Sequence, residues 1–575
     1  MTGSGTAQLD LSADQRKQLE LPVDPPRDPI GGWRSTRAKT QAWFWRHRRS
    51  LLIVTPLLVI VAAVRLWGLS HGPGLSDDEG TYVAEAWAVQ VQHALAPYTY
   101  WYDHPPFGWI QIAAYTWLTG TFHGAGLQVI AVRHLMVGYA VVDAGLIYIL
   151  ARRLGLARVW AAAAVTMWAL SPLAVGYSRM VYLDNIALPW VLGAFVLAAT
   201  PRKSLWAHTL AGALFAMGVL SKETMILLLP GFVWLAWRHT DRRTRSFCLV
   251  GMGAAGVLLL LIYPLMAVLR GELLPGAGHV SLVEALKWQF LTRPSSGSAL
   301  SAHSASRTLV DSWLALDAWL PWLGVIGGFG CLVSARLRPL GVTVLILLAA
   351  GLRPGYLPQP YVVAFLPFAA LAAAATAQLG WHALRERPPV PIRPGARHEA
   401  RLLAAGRVGA LAAMVAVAAV AVPGWLHGDA ALAGPDETAP VAAAEHWLEA
   451  HARGPVTAAS SNRTGFGRDV LVDDTMWSDL VANGFPQRQV IWFYKLDFVD
   501  NLDPSVRHRI HDYRDFGYVV SSPIVRSGLR NSPAPRYALA REAFAHARPV
   551  ATFGEGPNRI VVERVQTATK AGRQK

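Results

Sequence analysis

Three acidic residues stand in a row in this chain: Asp77, Asp78 and Glu79, within Leu75-Ser76-Asp77-Asp78-Glu79-Gly80-Thr81-Tyr82. About twenty residues on comes Tyr102-Asp103-His104-Pro105-Pro106, and no Lys or Arg lies between Ser70 and Gly126. Carboxylates beside apolar segments, with no cation near them in sequence, are costly to place, so they are candidates for chemistry or metal binding. The chemistry such groups offer is general-base help to an attacking hydroxyl or ligation of a divalent ion. Two ordinary readings compete with it. Acids at a helix start interact favourably with its dipole, at roughly 0.3–1 kcal/mol each, and an Asp before prolines is a common turn.

Further charged residues recur beside apolar runs. Ser178-Arg179 is followed by Asp184, Lys222 sits in Leu220-Ser221-Lys222-Glu223, and Arg133 begins a long apolar segment. Arg353 and Tyr356 lie in Gly351-Leu352-Arg353-Pro354-Gly355-Tyr356-Leu357-Pro358. Each cation alone reads equally well as a side chain reaching for lipid headgroups, and Arg179 and Asp184 as a simple pair. Together they offer a base for an incoming hydroxyl and positive charge for a departing phosphate.

The elements that must position these groups are mostly membrane helices. Of the 575 residues, 53% are hydrophobic and 16% charged, which excludes an ordinary soluble protein. The net charge of +16 is spread between apolar segments, as the positive-inside rule requires, and not along one face as a nucleic-acid binder would have it. The two cysteines, Cys248 and Cys331, both lie in apolar runs and form no metal-type spacing.

The hydropathy pattern predicts about eleven transmembrane spans: 51–69, 127–150, 159–175, 186–199, 205–220, 225–237, 247–269, 316–335, 341–352, 361–379 and 402–425. Arg46, Arg48 and Arg49 precede the first, and alternate loops carry the Lys and Arg excess. This puts the N-terminus in the cytoplasm, and an odd span count puts the C-terminus and the acidic loop 70–126 outside. Residues 1–49 read as a polar tail without fixed structure, and 567–575 as a basic tail.

Within the acidic loop, Ser76-x-x-Glu79 is a capping-box pattern for a surface helix. Phe107–Thr119, after the prolines, is too short for a span and reads as re-entrant or interfacial. From Gly434 the pattern changes to short β-rich runs alternating with helical stretches, a small extracytoplasmic α/β domain over 434–566. Its Val472-Asp473-Asp474-Thr475-Met476-Trp477-Ser478-Asp479 follows a predicted strand, where acids either contact a ligand or cap the next helix.

These motifs resemble the polyprenyl-phosphate-dependent glycosyltransferases of the GT-C fold, specifically the protein O-mannosyltransferases and the aminoarabinose transferases that modify lipid A. Asp78-Glu79 with Tyr82 is similar to the family's Asp-Glu-x-x-Tyr pattern, and Asp103-His104-Pro105-Pro106 to its second segment in the same loop. Arg133, Ser178-Arg179 with Asp184, and Leu220-Ser221-Lys222 follow in the family's order. Gly355-Tyr356-Leu357-Pro358 departs from the family's Arg-Tyr-x-x-Pro segment, because Gly355 replaces the arginine and Arg353 is shifted. His104 stands where the lipid A branch has lysine, which speaks against that acceptor.

The resemblance covers about 51–379 and implies a catalytic domain over 50–427. It implies transfer of a sugar, a hexose such as mannose, from a polyprenyl-phosphate donor to an acceptor hydroxyl outside the cytoplasm, on a protein, glycan or lipid. Asp78 would be the base of an inverting single displacement, with Glu79 and Asp103 beside it. His104, Arg133, Arg179, Asp184, Lys222, Arg353 and Tyr356 would serve the donor phosphate and substrate. The resemblance fixes no cofactor and leaves a divalent cation open, with Asp78 and Asp103 as the residues that would hold it. The competing reading is a multi-spanning transporter or flippase of a lipid-linked sugar.

Overall fold

The computed structural model describes residues 29–124, 126–200, 204–385, 396–452, 469–497, 503–507, 509–533 and 535–566. Residues 1–28 of the N-terminal tail expected over 1–49, and the C-terminal tail 567–575, lie outside the described residues, as do Arg202, Lys203, Arg387 and Arg393 of the charged loops; from Pro29 the expected tail is helical and not without fixed structure. The chain divides into two compact units, Met1–Thr55 and Pro56–Lys575. In the first, the described residues are helical from Pro29 onward. All that follows concerns the second.

Among the described residues, five helices are long and apolar enough to cross a membrane: Phe44–Leu66, Gln128–Arg153, Arg245–Leu269, Gln359–Leu384 and Leu411–Leu432. Two bent pairs also qualify if each counts as one span, Arg158–Leu170 with Pro172–Arg179 at 65° and Ala305–Leu316 with Trp319–Cys331 at 103°, so the count is five to seven. The expected eleven is not reached by length. Leu183–Ala198, Leu205–Ser221 and Arg338–Leu352 are apolar but have 16, 17 and 15 residues. At 1.5 Å per residue each is roughly 25 Å long, short of a ~30 Å hydrocarbon core.

The bend at the first broken pair has a local cause. Pro172 follows Ser171, whose backbone is extended and whose hydroxyl accepts from the Ala174 N–H at 3.2 Å. A new helix therefore starts there and the old one cannot continue. It ends at Arg179, and Met180–Tyr182 runs extended into the next helix at Leu183. In the same way Leu205–Ser221 stops at Lys222, which is extended, before a 3-10 segment at Glu223–Leu228. The charged residues of the sequence motifs thus sit where helices break.

The acidic loop folds as expected into a helix at Asp77–Trp87, with Ser76 extended before it and three acids in its first turn. The Ser76 N–H donates to Glu79 Oε2 at 3.1 Å, so the capping-box pairing forms. The helix passes into a π-helical turn at Ala88–Gln92 and stops at His93, which is left-handed with φ 54°. Phe107–Thr119 is a short helix that begins after Pro106 and ends on the left-handed Gly120.

The C-terminal segment carries the five expected strands: β1 Asp469–Val472, β2 Val490–Trp492, β3 Phe516–Ser521, β4 Ala547–Phe553 and β5 Ile560–Val565. They form one mixed sheet in the order β2-β1-β3-β5-β4. β1 pairs in parallel with β2 and β3, and β5 pairs antiparallel with β3 and β4. The three parallel strands are short and mostly buried, as their apolar sequences dictate.

One face of this sheet packs Leu471, Ile491, Val519 and Val565 against its own helices at Val525 and Ala540, and the other face shares its core with the acidic loop. Val470, Val472, Trp477, Trp492 and Val520 share one hydrophobic cluster with Tyr82, Val83, Ala86, Trp87 and Trp109 from the acidic loop. Trp87 and Trp477 meet edge to face with centroids 5.3 Å apart. A Cβ at Gly80 would overlap the backbone of Asp474 and Thr475, so only glycine lets the loop helix approach the end of β1 this closely.

Candidate active site at the acidic loop

The three neighbouring acids have three different surroundings. Asp77 is exposed, and its Oδ1 accepts from the Asp78 N–H at 3.0 Å and from the Ser76 hydroxyl at 3.3 Å. It is a helix-start acid. Glu79 is fully buried. Its Oε1 accepts from Arg133 Nε and the Val181 N–H, both at 2.9 Å. Its Oε2 accepts from Arg133 Nη2 at 2.7 Å and from the Ser76 N–H. Glu79 therefore ties the acidic loop to the 128–153 helix and to the extended 180–182 segment.

Asp78 is half-buried and faces neither of these partners. Burial and the adjacent Asp77 push its carboxyl up to about 6, against the opposing pull of Lys222 and His104. A carboxylate held near 6 is ionised at neutral pH yet more basic than usual, which suits a general base.

Beside it lies a chain of charged groups. His104 Nδ1 is 2.9 Å from Glu223 Oε2, and Lys222 Nζ is 3.0 Å from His104 Nε2. With its proton on Nδ1, the imidazole donates to Glu223 and accepts from Lys222. Burial works against the Glu223 carboxylate, but His104 and Lys222 outweigh it and hold the group down to about 2. Burial likewise opposes the Lys222 charge, and the facing carboxylates Glu223, Asp184, Asp78 and Asp103 reverse the balance and raise it. For His104, Glu223 overcomes burial and the repulsion of Lys222, and raises it. Asp184 is buried with Oδ2 unpartnered, within electrostatic reach of Lys222, Glu223 and His104. Residues from four separate segments thus form one cluster of alternating charge.

Four residues singled out in the sequence are not part of this cluster in the expected way. Arg133 is fully buried and all five of its N–H donors are used: two bonds go to Glu79, and the others to the carbonyls of Leu69, Pro73 and Gly74. None is left for a phosphate. Arg179 is also fully buried and donates to the carbonyls of Val64, Trp67 and Gly72. It fastens the end of the first long helix. Arg353 is exposed and donates to the Pro354 carbonyl at 3.3 Å. Tyr356 keeps its link to the site through Arg293, whose guanidinium lies 3.4 Å from the ring centroid.

Sequence reasoning missed Glu223 and Arg293. Glu223 directly follows Lys222, and an acid next to a motif lysine was the available signal. Arg293 had none, because it follows an unremarkable loop and is placed only by Trp288, Tyr356 and Gln289. No group of three or more His, Cys, Asp or Glu side chains at metal-holding distance occurs among the described residues, Asp78 and Asp103 included.

The site opens on a cavity of about 920 Å³. Asp78, Tyr82, Asp103 and His104 form one wall, Trp288 and Arg293 another, and Asp474, Trp492 and Tyr494 from the sheet a third. The acids of the β1 end accordingly divide. Asp473 is a turn residue that accepts from Thr475 and Ser522, and Asp479 accepts from the Gln128 N–H. Asp474 accepts from Thr81 Oγ1 at 2.6 Å and lines the cavity.

Comparisons with known proteins bear on the fold. Residues 103–267, less than a third of the chain, match a family model described as dolichyl-phosphate-mannose-protein mannosyltransferase. The fold is similar to crystal structures of ArnT from Cupriavidus metallidurans. With the form bound to undecaprenyl phosphate, the TM-score is 0.51 at 15% identity, over 92% of this chain and 100% of that one. With the apo form it is 0.51 at 14% identity, over 92% and 98%. The Pmt1-Pmt2 protein O-mannosyltransferase complex of S. cerevisiae, bound to its sugar donor, matches with a TM-score of 0.32 at 18% identity, over 38% of this chain and 33% of that one. No curated protein matches by sequence. The resemblance read from the motifs is borne out: the chain has the GT-C fold. Its five to seven candidate spans among the described residues make it a multi-pass membrane protein.

Proposed function

We propose that this protein transfers a sugar from a polyprenyl-phosphate donor to an acceptor hydroxyl on the extracytoplasmic side, with Asp78 as the base. The reaction is a single displacement. The acceptor O–H gives its proton to Asp78 as its oxygen bonds to the anomeric carbon. The bond from that carbon to the phosphate oxygen breaks, its electron pair leaves with the polyprenyl phosphate, and the anomeric configuration inverts.

Lys222, carried by His104 and Glu223, supplies positive charge for the departing phosphate. Asp103 and Asp184 orient the sugar and the lysine. Glu79, Arg133 and Arg179 are positioning residues that hold the loop. The observation that carries this reading is the pairing of a half-buried, more basic than usual Asp78 with the neighbouring Lys222–His104–Glu223 chain, Asp78 and His104 both lining a large cavity. The undecaprenyl phosphate bound to the structurally similar ArnT supports a polyprenyl-phosphate donor. A hexose such as mannose is proposed as the sugar, in line with the family model over residues 103–267.

The proposal extends to topology. The three shorter apolar helices, together with the Glu223–Leu228 turn and Leu229–His239, complete eleven crossings, with the N-terminus cytoplasmic and the sheet outside. The transporter alternative wants its ionisable groups on broken helices near mid-membrane. Here Asp78, Asp103, His104, Lys222 and Glu223 lie in loops and at helix ends.

Membranes containing the protein, given radiolabelled polyprenyl-phosphate-mannose, should release polyprenyl phosphate and label an acceptor. Asp78→Asn should lower that turnover by about two to four orders of magnitude while the protein still inserts and folds. Near-normal turnover by this variant would overturn the assignment.

A further inference from the structure

The cavity beside Asp78 has a wall that the transfer chemistry leaves unused. Glu85, Asp474 and Trp492 all line it and are all more than nine-tenths buried. Each carries a buried polar atom with no hydrogen-bond partner among the described residues: Glu85 Oε2, Asp474 Oδ1 and Trp492 Nε1. An orphaned buried polar atom has given up its hydrogen bonds to water without replacing them, which is unfavourable. Three of them on one cavity are a set of unfilled positions that a bound molecule can satisfy.

We propose that this wall is the acceptor subsite of the reaction inferred above, and that the acceptor it takes is a neutral carbohydrate. Three features select that class. First, the available groups are two carboxyls and an indole N–H, a mixture of donors and acceptors that matches sugar hydroxyls. Burial, then the nearby carboxylates, hold both Glu85 and Asp474 well above the usual carboxylate range, so each can donate as well as accept. Second, the wall is aromatic. Tyr98 and Trp492 pack with centroids 4.7 Å apart, and Trp101 lines the same cavity. Flat apolar faces beside polar groups are what a sugar ring, with its apolar C–H face and equatorial hydroxyls, requires.

Third, the charge excludes the alternatives. The cation closest to these rings, Lys495, is already paired with Asp503 at 3.3 Å. The carboxylates Asp77, Asp78 and Asp103 line the same cavity and act electrostatically on Glu85 and Asp474. Among the residues lining the cavity, acids outnumber Lys and Arg seven to four, which disfavours a phosphorylated lipid headgroup. At about 920 Å³ the cavity lies at the upper end of the ~300–1,000 Å³ range of ligand pockets, enough for a short oligosaccharide. One hydroxyl of that ligand would reach Asp78, since both walls bound one space.

The test uses the full-length protein in nanodiscs and has two arms. In the first, neutral hexose oligosaccharides are titrated while tryptophan fluorescence is followed, without any donor. Quenching that saturates, and that weakens about tenfold in Trp492→Phe and Glu85→Leu, is expected. In the second, label transfer from polyprenyl-phosphate-mannose is measured to the oligosaccharides, to a Ser/Thr-rich peptide and to a phosphorylated lipid. The same two variants should raise the acceptor KM about tenfold with kcat little altered, and Glu85→Gln should recover part of that loss. Saturable transfer to the peptide or the lipid with none to the oligosaccharides would overturn the proposal, as would unchanged quenching in both variants. If no donor turns over at all, the transferase reading fails, and the donor-free binding arm still decides the carbohydrate subsite.

Discussion

Glu79 lies one residue from the proposed base, and the geometry assigns it a wholly structural duty, which Glu79→Gln tests. The Glu79 and Arg133 side chains are both 0% exposed. Each carboxylate oxygen accepts two N–H groups, so an amide nitrogen in either position would point its hydrogens at two donors. Arg133 would also keep its charge in a buried site without a counter-charge. Removing one partner of a buried pair costs about 3–5 kcal/mol. The expected result is a clearly lower unfolding midpoint of the purified protein in detergent, followed by thermal scanning, with turnover reduced in proportion to the folded fraction. Replacing both residues together, Glu79→Leu with Arg133→Met, should recover part of the loss. It should not recover all of it, because the carbonyls of Leu69, Pro73 and Gly74 and the N–H groups of Ser76 and Val181 would lose their partners. An unchanged unfolding midpoint in Glu79→Gln accompanied by lost transfer would refute the argument and make Glu79 a chemical group.

Other outcomes follow from the same geometry. Asp78 cannot accept a proton while it is itself protonated, so kcat/KM should rise with pH through about 6 and level off above it. Lys222→Met removes the strongest group pulling Asp78 down, so the midpoint of whatever activity remains should move to higher pH; a midpoint that stays or falls would contradict the cluster. Gly80→Ala forces a Cβ into the backbone at Asp474 and Thr475, and should cost about 1–3 kcal/mol, seen as a lower midpoint in the same thermal scan.

Much of this protein is local and therefore readable from its sequence. Apolar length gives the membrane helices, the Ser76-x-x-Glu79 pattern gives the start of the Asp77–Trp87 helix, and alternating β-branched runs give all five strands. The order of Asp78, Asp103, Asp184 and Lys222 along the chain was enough to suggest a common site, because a helix break beside a charge leaves a visible mark. The count of eleven crossings was less secure, since 15 to 17 apolar residues do not by themselves separate a tilted or thinned-membrane span from a buried helix.

The tertiary structure alone decided what each charge does. A hydrogen bond or an ion pair depends on where distant segments meet, and sequence carries no record of that distance. Arg133 and Arg179 have the right type and position for a phosphate, yet all of Arg133's donors go to Glu79 and backbone carbonyls, and Arg179 is buried with both Nη atoms on backbone carbonyls. Asp77, Asp78 and Glu79 are adjacent in the chain, but Asp77 is an exposed helix-start acid at the cavity's edge, Asp78 is half-buried in the site, and Glu79 is buried against an arginine. The sheet too was legible as strands, but not as a wall of the cavity; only the close approach at Gly80 and the shared core of Trp87 and Trp477 bring Asp474 and Trp492 to the site.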